Sequence, residues 1–199
     1  MPTIRMLLKS SVTRGEVEYM ALDYNWQLYT RQDPDSTGSY VVWVDGEGDQ
    51  QSVIIYTEDA LAELRYINVE GENAQAVADQ IRASVATYSR EELEEAVARA
   101  TGPDEWMSAL RKLGTSLTKN FEQSAFDALS KGMVHAEPRV RLAALAAIGF
   151  PAWPEFLEPV GKLQETDSDI RVLRRAARLF GLLQKGSQPS DNGAATTEQ

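Results

Sequence analysis

Short apolar runs alternate with turn-forming residues through the first 70 positions of the chain. Several stretches show either apolar/polar alternation or an unbroken set of β-branched and aromatic residues, and both patterns predict strands. These stretches are 16–19, 26–28, 40–44 and 53–56. Turn-forming residues at 33–38 and 45–49 separate the last three, and strands joined by such short turns are antiparallel. We therefore expect an antiparallel sheet of four or five strands.

The hydrophobic period changes after Gly71. Ala74, Val77, Ile81 and Val85 are three or four residues apart, which places them on one face of a helix. A helix with one apolar face buries that face by lying on the sheet. The first part of the chain is thus expected to be an antiparallel sheet with one covering helix, ending near residue 88.

From residue 89 onwards the apolar spacing is helical. Ser89 and Glu92 match a capping box, and Gly102 followed by Pro103 ends one helix and begins the next. The later inward stripes are Trp106, Leu110, Leu113 and Leu117; Phe126, Leu129 and Met133; Val140, Ala144, Ala147 and Ile148; Phe156, Val160 and Leu163; and Ile170, Leu173, Ala177 and Phe180. Breaks between helices are predicted at 114–115, 137–138, 149–154 and 167–169.

The helical part also repeats. Segment 138–149 reads Pro-Arg-Val-Arg-Leu-Ala-Ala-Leu-Ala-Ala-Ile-Gly, and Ile170-Arg171 echoes Val140-Arg141 after 30 residues. This pattern resembles the HEAT repeat, and the spacing resembles the short repeats of phycobilisome lyases. The resemblance covers about residues 103–185. It implies an all-α HEAT-like solenoid of about three helical hairpins, in which each hairpin buries its face on the next.

Together these patterns predict an α+β protein of two parts. An α+β sheet domain is expected at 1–88 and a HEAT-like α-solenoid at 89–186. Residues 187–199 contain no large apolar side chain, so we predict a disordered tail there. The whole layout also resembles bacterial proteins that have no assigned activity, so this second likeness implies none.

The composition restricts the chemistry further. The 199 residues include no cysteine, which excludes disulfides, thiolate nucleophiles and cysteine-bound metals. The net charge is −10, and residues 1–88 hold 6 Lys/Arg against 14 Asp/Glu, which disfavours nucleic acid as a partner. No apolar run reaches the length of a signal peptide or a spanning helix, which predicts a cytoplasmic protein with no membrane partner.

Candidate metal and catalytic residues are few. Residues 33–38 match the beginning of a calcium loop, but the position that needs a bidentate Glu is Val44, so we interpret the segment as a hairpin turn. His135 is the only histidine, and its position between two helices favours a structural loop residue over a catalytic base. We therefore predict no catalytic residue, no metal site and no cofactor.

A basic cluster is the main candidate for a binding surface. Four arginines of the last helix share one helical face through i, i+3, i+4 and i+7 spacing. They are Arg171, Arg174, Arg175 and Arg178. Arg139 and Arg141 are candidates for the same surface, with Lys162 nearby. The alternative is a solvated end of the solenoid, in which Arg171 binds Asp167 or Asp169.

Trp153 is a separate candidate, in a turn rich in aromatic residues and proline at 150–156. One interpretation is that its ring packs over a helical hairpin. The other is that it forms an exposed anchor for a partner protein.

These features predict a non-catalytic protein–protein interaction module, such as an adaptor or an immunity-type inhibitor of the bacterial cytoplasm. The solenoid surface and the acidic sheet domain are the expected contact areas, and the acidic domain would steer toward a basic partner. The HEAT resemblance also implies an alternative, namely a bilin lyase-like enzyme or chaperone, or a HEAT-like DNA-repair glycosylase. A structural homo-oligomer is the third alternative.

Overall fold

The computed structural model describes residues 1–60 and 62–186, and the predicted tail at 187–199 lies outside the described residues. The first part of the described chain contains an antiparallel sheet with the strand order β1-β5-β4-β3-β2. The strands are β1 (Thr3–Leu7), β2 (Gln27–Gln32), β3 (Gly38–Asp45), β4 (Ser52–Asp59) and β5 (Leu64–Gly71). Strands β2 to β5 form the meander that the turn pattern predicts, while β1 pairs with β5 at the far edge.

A helix precedes β2 where the sequence pattern predicts a strand. Residues 16–19 belong to α1 (Arg14–Asp23), so the strand prediction for this segment is wrong. The Thr13 hydroxyl accepts a hydrogen bond from the Glu16 N–H at 3.3 Å, and the Glu16 carboxylate accepts one from the Thr13 N–H at 2.7 Å. This capping box begins a helix, whereas an alternation of four residues is too short to define a strand.

Two helices cover the same face of the sheet. Val17 and Met20 of α1 are buried together with Val77 and Ile81 of α2 (Ala74–Ser84). The strand side chains in this apolar cluster include Met6, Val41, Trp43, Ile54, Tyr56, Ile67 and Val69. The sheet therefore has two covering helices, and the sequence pattern revealed only the second.

The helical half of the chain packs against part of the opposite face. Leu7 of β1 is buried in the apolar cluster of the helices, and its partner on β5, Tyr66, packs against that cluster. Arg5 links the two halves, because its Nη1 donates to the Leu117 carbonyl oxygen at 3.1 Å and its Nε donates to Asn68 Oδ1 at 2.6 Å. The halves thus meet along β1 and β5, and the division at residue 88 stays a prediction.

Six α-helices form the second half of the described chain. They are α3 (Arg90–Arg99), α4 (Pro103–Ser116), α5 (Gln123–Met133), α6 (Pro138–Ile148), α7 (Leu157–Thr166) and α8 (Ile170–Gly186). Consecutive helices pair as three hairpins, and α6 packs against both α4 and α8. The predicted starts at Ser89 and Pro103 are confirmed, since the Ser89 hydroxyl accepts from the Glu92 N–H at 3.1 Å and Pro103 begins α4. The predicted α+β class, a sheet followed by about three helical hairpins, is confirmed.

Gly114 lies inside α4, so the helix break predicted at 114–115 is wrong. The glycine allows close packing between helices and does not form a turn. A Cβ placed on it would lie 2.6 Å from the Cα atom and 2.6 Å from the carbonyl oxygen of Ala147 on α6. The missing side chain therefore lets α4 and α6 approach closely, which is how a glycine comes to occupy a helix interior despite its poor helix propensity.

We expect Gly114→Ala to lower the free energy of unfolding by about 1–3 kcal/mol, because the new methyl group meets backbone atoms of α6. Gly181→Ala is the matched control, since Gly181 is also helical and nothing lies within 4 Å of a Cβ placed on it. Helix propensity alone then predicts a gain of about 1 kcal/mol for the control. Denaturant unfolding of both variants measures the two values. A gain in both would contradict the close approach of α4 and α6.

The last helix buries a different face from the one that its sequence predicts. Ile170 and Ala177 of the predicted stripe are exposed. The buried residues are Val172, Ala176, Leu179 and Leu183. Both stripes are apolar, so periodicity alone does not choose between them, and the packing of α8 against α7 and α6 decides which one lies inside.

Candidate functional site

Four arginines lie exposed on one side of α8, as their spacing predicts. We call Arg171, Arg174, Arg175 and Arg178 the arginine face. Arg171 is held by Asp169, with 2.7 Å between Nη2 and Oδ2 and 3.1 Å between Nε and Oδ1, which is the pairing expected under the alternative of a solvated helix face. The other three form no ion pair with any described residue. Leu182, 62% exposed, extends the same side of the helix by one turn.

Arg141 is buried and therefore does not belong to this surface, although the sequence suggested that it does. Its side chain is 10% exposed, and its Nε and Nη2 atoms lie 2.7 Å from the two carboxylate oxygens of Asp167. Its Nη1 donates to the carbonyl oxygens of His135 and Ala136, both at 2.9 Å. The hydrogen bonds from Arg141 hold the pKa of Asp167 below its ordinary value despite burial. Arg141 thus ties the loop before α6 to the loop before α8.

Arg139 is exposed, and its guanidinium pairs with carboxylates outside α8. Its guanidinium lies 3.3 Å from the Glu137 carboxylate and 3.7 Å from that of Asp104 on α4. Lys162 on α7 is exposed as well. The four arginines of α8 are the candidates that share one exposed helix face.

Trp153 is 1% exposed, which confirms the packing interpretation and excludes an exposed anchor. Its Nε1–H donates to the Thr118 carbonyl oxygen at 2.9 Å. Its ring stacks on Phe156 with 6.1 Å between centroids and meets the ring of Phe121 edge-on at 5.1 Å. The indole therefore joins the connection between α4 and α5 to the connection between α6 and α7.

His135 and the 33–38 turn have structural partners. His135 Nδ1 accepts a hydrogen bond from the Glu137 N–H at 3.0 Å, in the loop before α6. The Asp35 carboxylate accepts from the N–H groups of Thr37 at 2.7 Å and Gly38 at 3.1 Å, and these bonds close the hairpin between β2 and β3. The loop and turn interpretations are confirmed. Across the described residues, no group of three or more His, Asp or Glu side chains could hold a metal ion.

A cavity of about 540 Å³ lies where one end of the sheet meets α4, and we call it the junction pocket. Its walls come from the end of β1, from the β2–β3 and β4–β5 connections and from α4. Its charged lining residues are four cations, Lys9, Arg65, Arg111 and Lys112, and four carboxylates, Asp35, Glu58, Asp59 and Glu63, and Tyr88 also lines it. The two halves of the chain thus both contribute charged groups to one cavity.

Glu58 is fixed in the pocket wall by three side chains. Its Oε2 accepts from the Ser39 hydroxyl at 2.8 Å, and its Oε1 accepts from the Tyr56 hydroxyl at 2.9 Å and from Arg65 Nε at 3.0 Å. Burial by itself would raise the pKa of Glu58, but these bonds outweigh it and hold that pKa below its ordinary value. Burial, with the neighbouring carboxylate, raises the pKa of Tyr56. Glu58 is therefore ionised at neutral pH and Tyr56 keeps its proton.

Cations from both halves surround Tyr88 in the same pocket. The ammonium nitrogens of Lys9 and Lys112 lie 5.6 Å and 5.3 Å from the centre of its ring. Lys9 also pairs with Glu92 at 2.7 Å, and Arg111 donates from Nη1 to the Ala62 carbonyl oxygen at 3.2 Å. The cations nearest Tyr88 therefore lie in a cavity whose described lining also carries carboxylates, at Asp35, Glu58, Asp59 and Glu63.

Sequence reasoning missed the junction pocket. Alternation along β4 places Tyr56 and Glu58 on the same face, and this much is readable from the sequence. The pairing of Ser39 with Glu58 depends on the register between β3 and β4, and Lys112 comes from a helix far along the chain. Neither relation has a local signal.

The described helices include none with both the length and the apolar character that crossing a bilayer requires. The HEAT-like character of the three hairpins stays a prediction, since it rests on the segment at 138–149 and its echo. No protein-family model, curated protein or solved structure matches this chain.

Proposed function

We propose that this protein is a non-catalytic protein–protein interaction module that binds an acidic surface of another protein through the arginine face. The supporting observation is the exposure of four arginines on one side of α8, three of them without an ion-pair partner among the described residues. Arginine is enriched at the energetic centres of interfaces, because its planar guanidinium combines forked hydrogen bonds with stacking. Leu182 offers an apolar contact beside it.

The distribution of charge favours a protein over a nucleic acid as the ligand. Residues 1–88 hold 6 Lys/Arg against 14 Asp/Glu, so a long polyanion that lies along the molecule is repelled. A compact acidic patch can contact α8 without approaching the sheet. The three stacked hairpins support a HEAT-like solenoid, and solenoids of that kind bind partners along exposed helical surfaces.

We expect the fourfold variant Arg171→Glu, Arg174→Glu, Arg175→Glu and Arg178→Glu to weaken partner binding by about 100-fold or more, because attractive contacts become repulsive. The partner is first captured from extracts of the source cells with the full chain and is then purified. Its affinity for both forms is measured by titration calorimetry. Crosslinks from the partner to α8 give an independent position for the interface.

A matched control reverses four exposed cations elsewhere, at Arg82, Arg99, Lys119 and Lys131. It carries the same change in net charge, so any loss that it shares with the first variant reflects overall charge and not the arginine face. Equal weakening in both variants would argue against the proposed interface. Capture that disappears after nuclease digestion would identify the ligand as a nucleic acid and would contradict the proposal.

A further inference from the structure

The junction pocket has no part in the proposed interface on α8, and its chemistry points to a ligand of another kind. Tyr88 has two lysine ammonium groups within 6 Å of its ring centre. An anion gains favourable Coulomb energy beside a cation that has no counter-ion. Lys9 is neutralised by Glu92, but Lys112 forms no ion pair with any described residue.

Arg111 is a second cation in the cavity, and it also favours an anionic ligand. It precedes Lys112 on α4 and lines the same cavity. One of its N–H groups is used by the Ala62 carbonyl oxygen at 3.2 Å, which leaves others of the five N–H groups of a guanidinium for a ligand. A carboxylate or phosphate group is the natural ligand for a guanidinium beside an ammonium, since it accepts charge-assisted hydrogen bonds from both.

Glu58 supplies a negatively charged carboxylate in the same cavity. Its Oε1 accepts two hydrogen bonds, whereas Oε2 accepts one, from Ser39. A carboxylate oxygen has room for two donors, so Oε2 can accept one more. The fixed position of this carboxylate also lowers the entropy cost of binding a donor.

The size of the pocket suits a small molecule. About 540 Å³ lies within the usual range for ligand pockets, roughly 300–1,000 Å³. Leu8 and Leu64 add apolar wall between the charged groups. We propose that the junction pocket binds a small molecule that carries a carboxylate or phosphate group, which pairs with Lys112 and Arg111, and an ammonium group, which pairs with Glu58.

The test is a titration of the isotope-labelled full chain, followed through its backbone amide resonances. The probes are O-phosphoethanolamine, β-alanine and inorganic phosphate. The first two carry an ammonium group together with a phosphate or a carboxylate, and the third carries the anion alone. We expect at least one of the first two to shift the amide resonances of Ser39, Tyr88 and Lys112, with a dissociation constant of about 1 mM, as suits a probe of this size. The tighter of the two identifies the anionic group.

Three variants assign the contacts. Lys112→Gln is expected to weaken both ammonium-bearing probes by about 10-fold, because it removes an ionic hydrogen bond. Glu58→Gln should weaken the same probes by about 10-fold without weakening inorganic phosphate, since only the ammonium group contacts Glu58 and the loss of its negative charge favours a bound anion. Lys119→Gln, which alters an exposed lysine outside the pocket, should change nothing.

Several results would overturn the inference. One is the absence of shifts at the pocket amides with every probe, which would mean that the cavity is a solvent-filled cleft. Another is unchanged affinity in Lys112→Gln, a variant that removes no described hydrogen bond and so keeps the test decisive if Glu58→Gln fails to fold. Inorganic phosphate that binds as tightly as O-phosphoethanolamine would exclude the ammonium contact. None of these outcomes bears on the arginine face, which is tested separately.

Discussion

Arg141→Met is expected to lower the free energy of unfolding by about 3–5 kcal/mol, the usual loss when one member of a buried ion pair is removed. The variant keeps an apolar side chain of similar length, so most of the packing is retained. It leaves the Asp167 carboxylate, whose side chain is 3% exposed, without its guanidinium partner. It also removes the donor to the His135 and Ala136 carbonyl oxygens.

Denaturant unfolding measures this loss, and Arg139→Met is the matched control. Arg139 is two positions away on the same helix, but its side chain is 54% exposed, so about 0–1 kcal/mol is expected. The double variant Arg141→Met with Asp167→Asn should be more stable than Arg141→Met alone, because no unpaired charge stays buried. Equal losses at positions 139 and 141 would contradict a structural role for the ion pair.

Because of the Arg141–Asp167 ion pair, the difference in unfolding free energy between wild type and Arg141→Met should depend on pH. Arg141 holds the pKa of Asp167 below the ordinary aspartate value of about 3.9. The stabilisation is therefore complete at pH values above the unfolded-state pKa, and it is lost as the pH falls through the depressed folded-state pKa. We expect the gap between wild type and Arg141→Met to be widest at neutral pH and to narrow as the pH falls, because burial without the guanidinium raises the pKa of Asp167 in the variant, which therefore takes up a proton at a higher pH than the wild type does. A gap that widens in acid would be inconsistent with an ionised Asp167.

Trp153→Ala is expected to cost about 3–5 kcal/mol, because it removes a fully buried indole and leaves a cavity between two helix connections. It also leaves the Thr118 carbonyl oxygen without its donor. Trp153→Phe separates these effects, since it keeps a ring and loses the N–H group, and about 1–3 kcal/mol is expected for it.

Unfolding followed by far-ultraviolet circular dichroism compares these variants with Phe121→Ala. The Phe121 ring touches Trp153 but is 41% exposed, so its removal should cost less than the removal of the indole. A Trp153→Ala protein as stable as Phe121→Ala would mean that Trp153 is not a central packing residue.

The fold class could be predicted from local patterns because most helices and strands have a capping, turn or periodicity signal within their own sequence. The Ser89–Glu92 capping box marked the start of α3 correctly. At Thr13 and Glu16 an equivalent pair begins α1, although the apolar alternation at 16–19 predicts a strand there. A cap pairs particular atoms over three residues, so it carries more information than a four-residue hydrophobic pattern does.

The candidate surface was predicted only in part, because exposure depends on distant partners. The spacing of the arginines on α8 correctly placed them on one face. The same reasoning assigned Arg141 to the surface, although its position is decided by Asp167, 26 residues further along the chain. Gly114 shows the same limit, since a glycine in a helix resembles a break until the neighbouring helix is known.

The position of β1 has a consequence for how the chain folds. Arg5 forms hydrogen bonds to residues 63 and 112 positions later, so β1 is synthesised long before its partners. Contacts of such large sequence separation form slowly, because a long loop must close before they contribute. Until α4 is present, Leu7 and Tyr66 have no apolar surface to cover them. The sheet therefore completes the burial of this face only when the helical half is present, so the stability of β1 depends on residues more than 100 positions away.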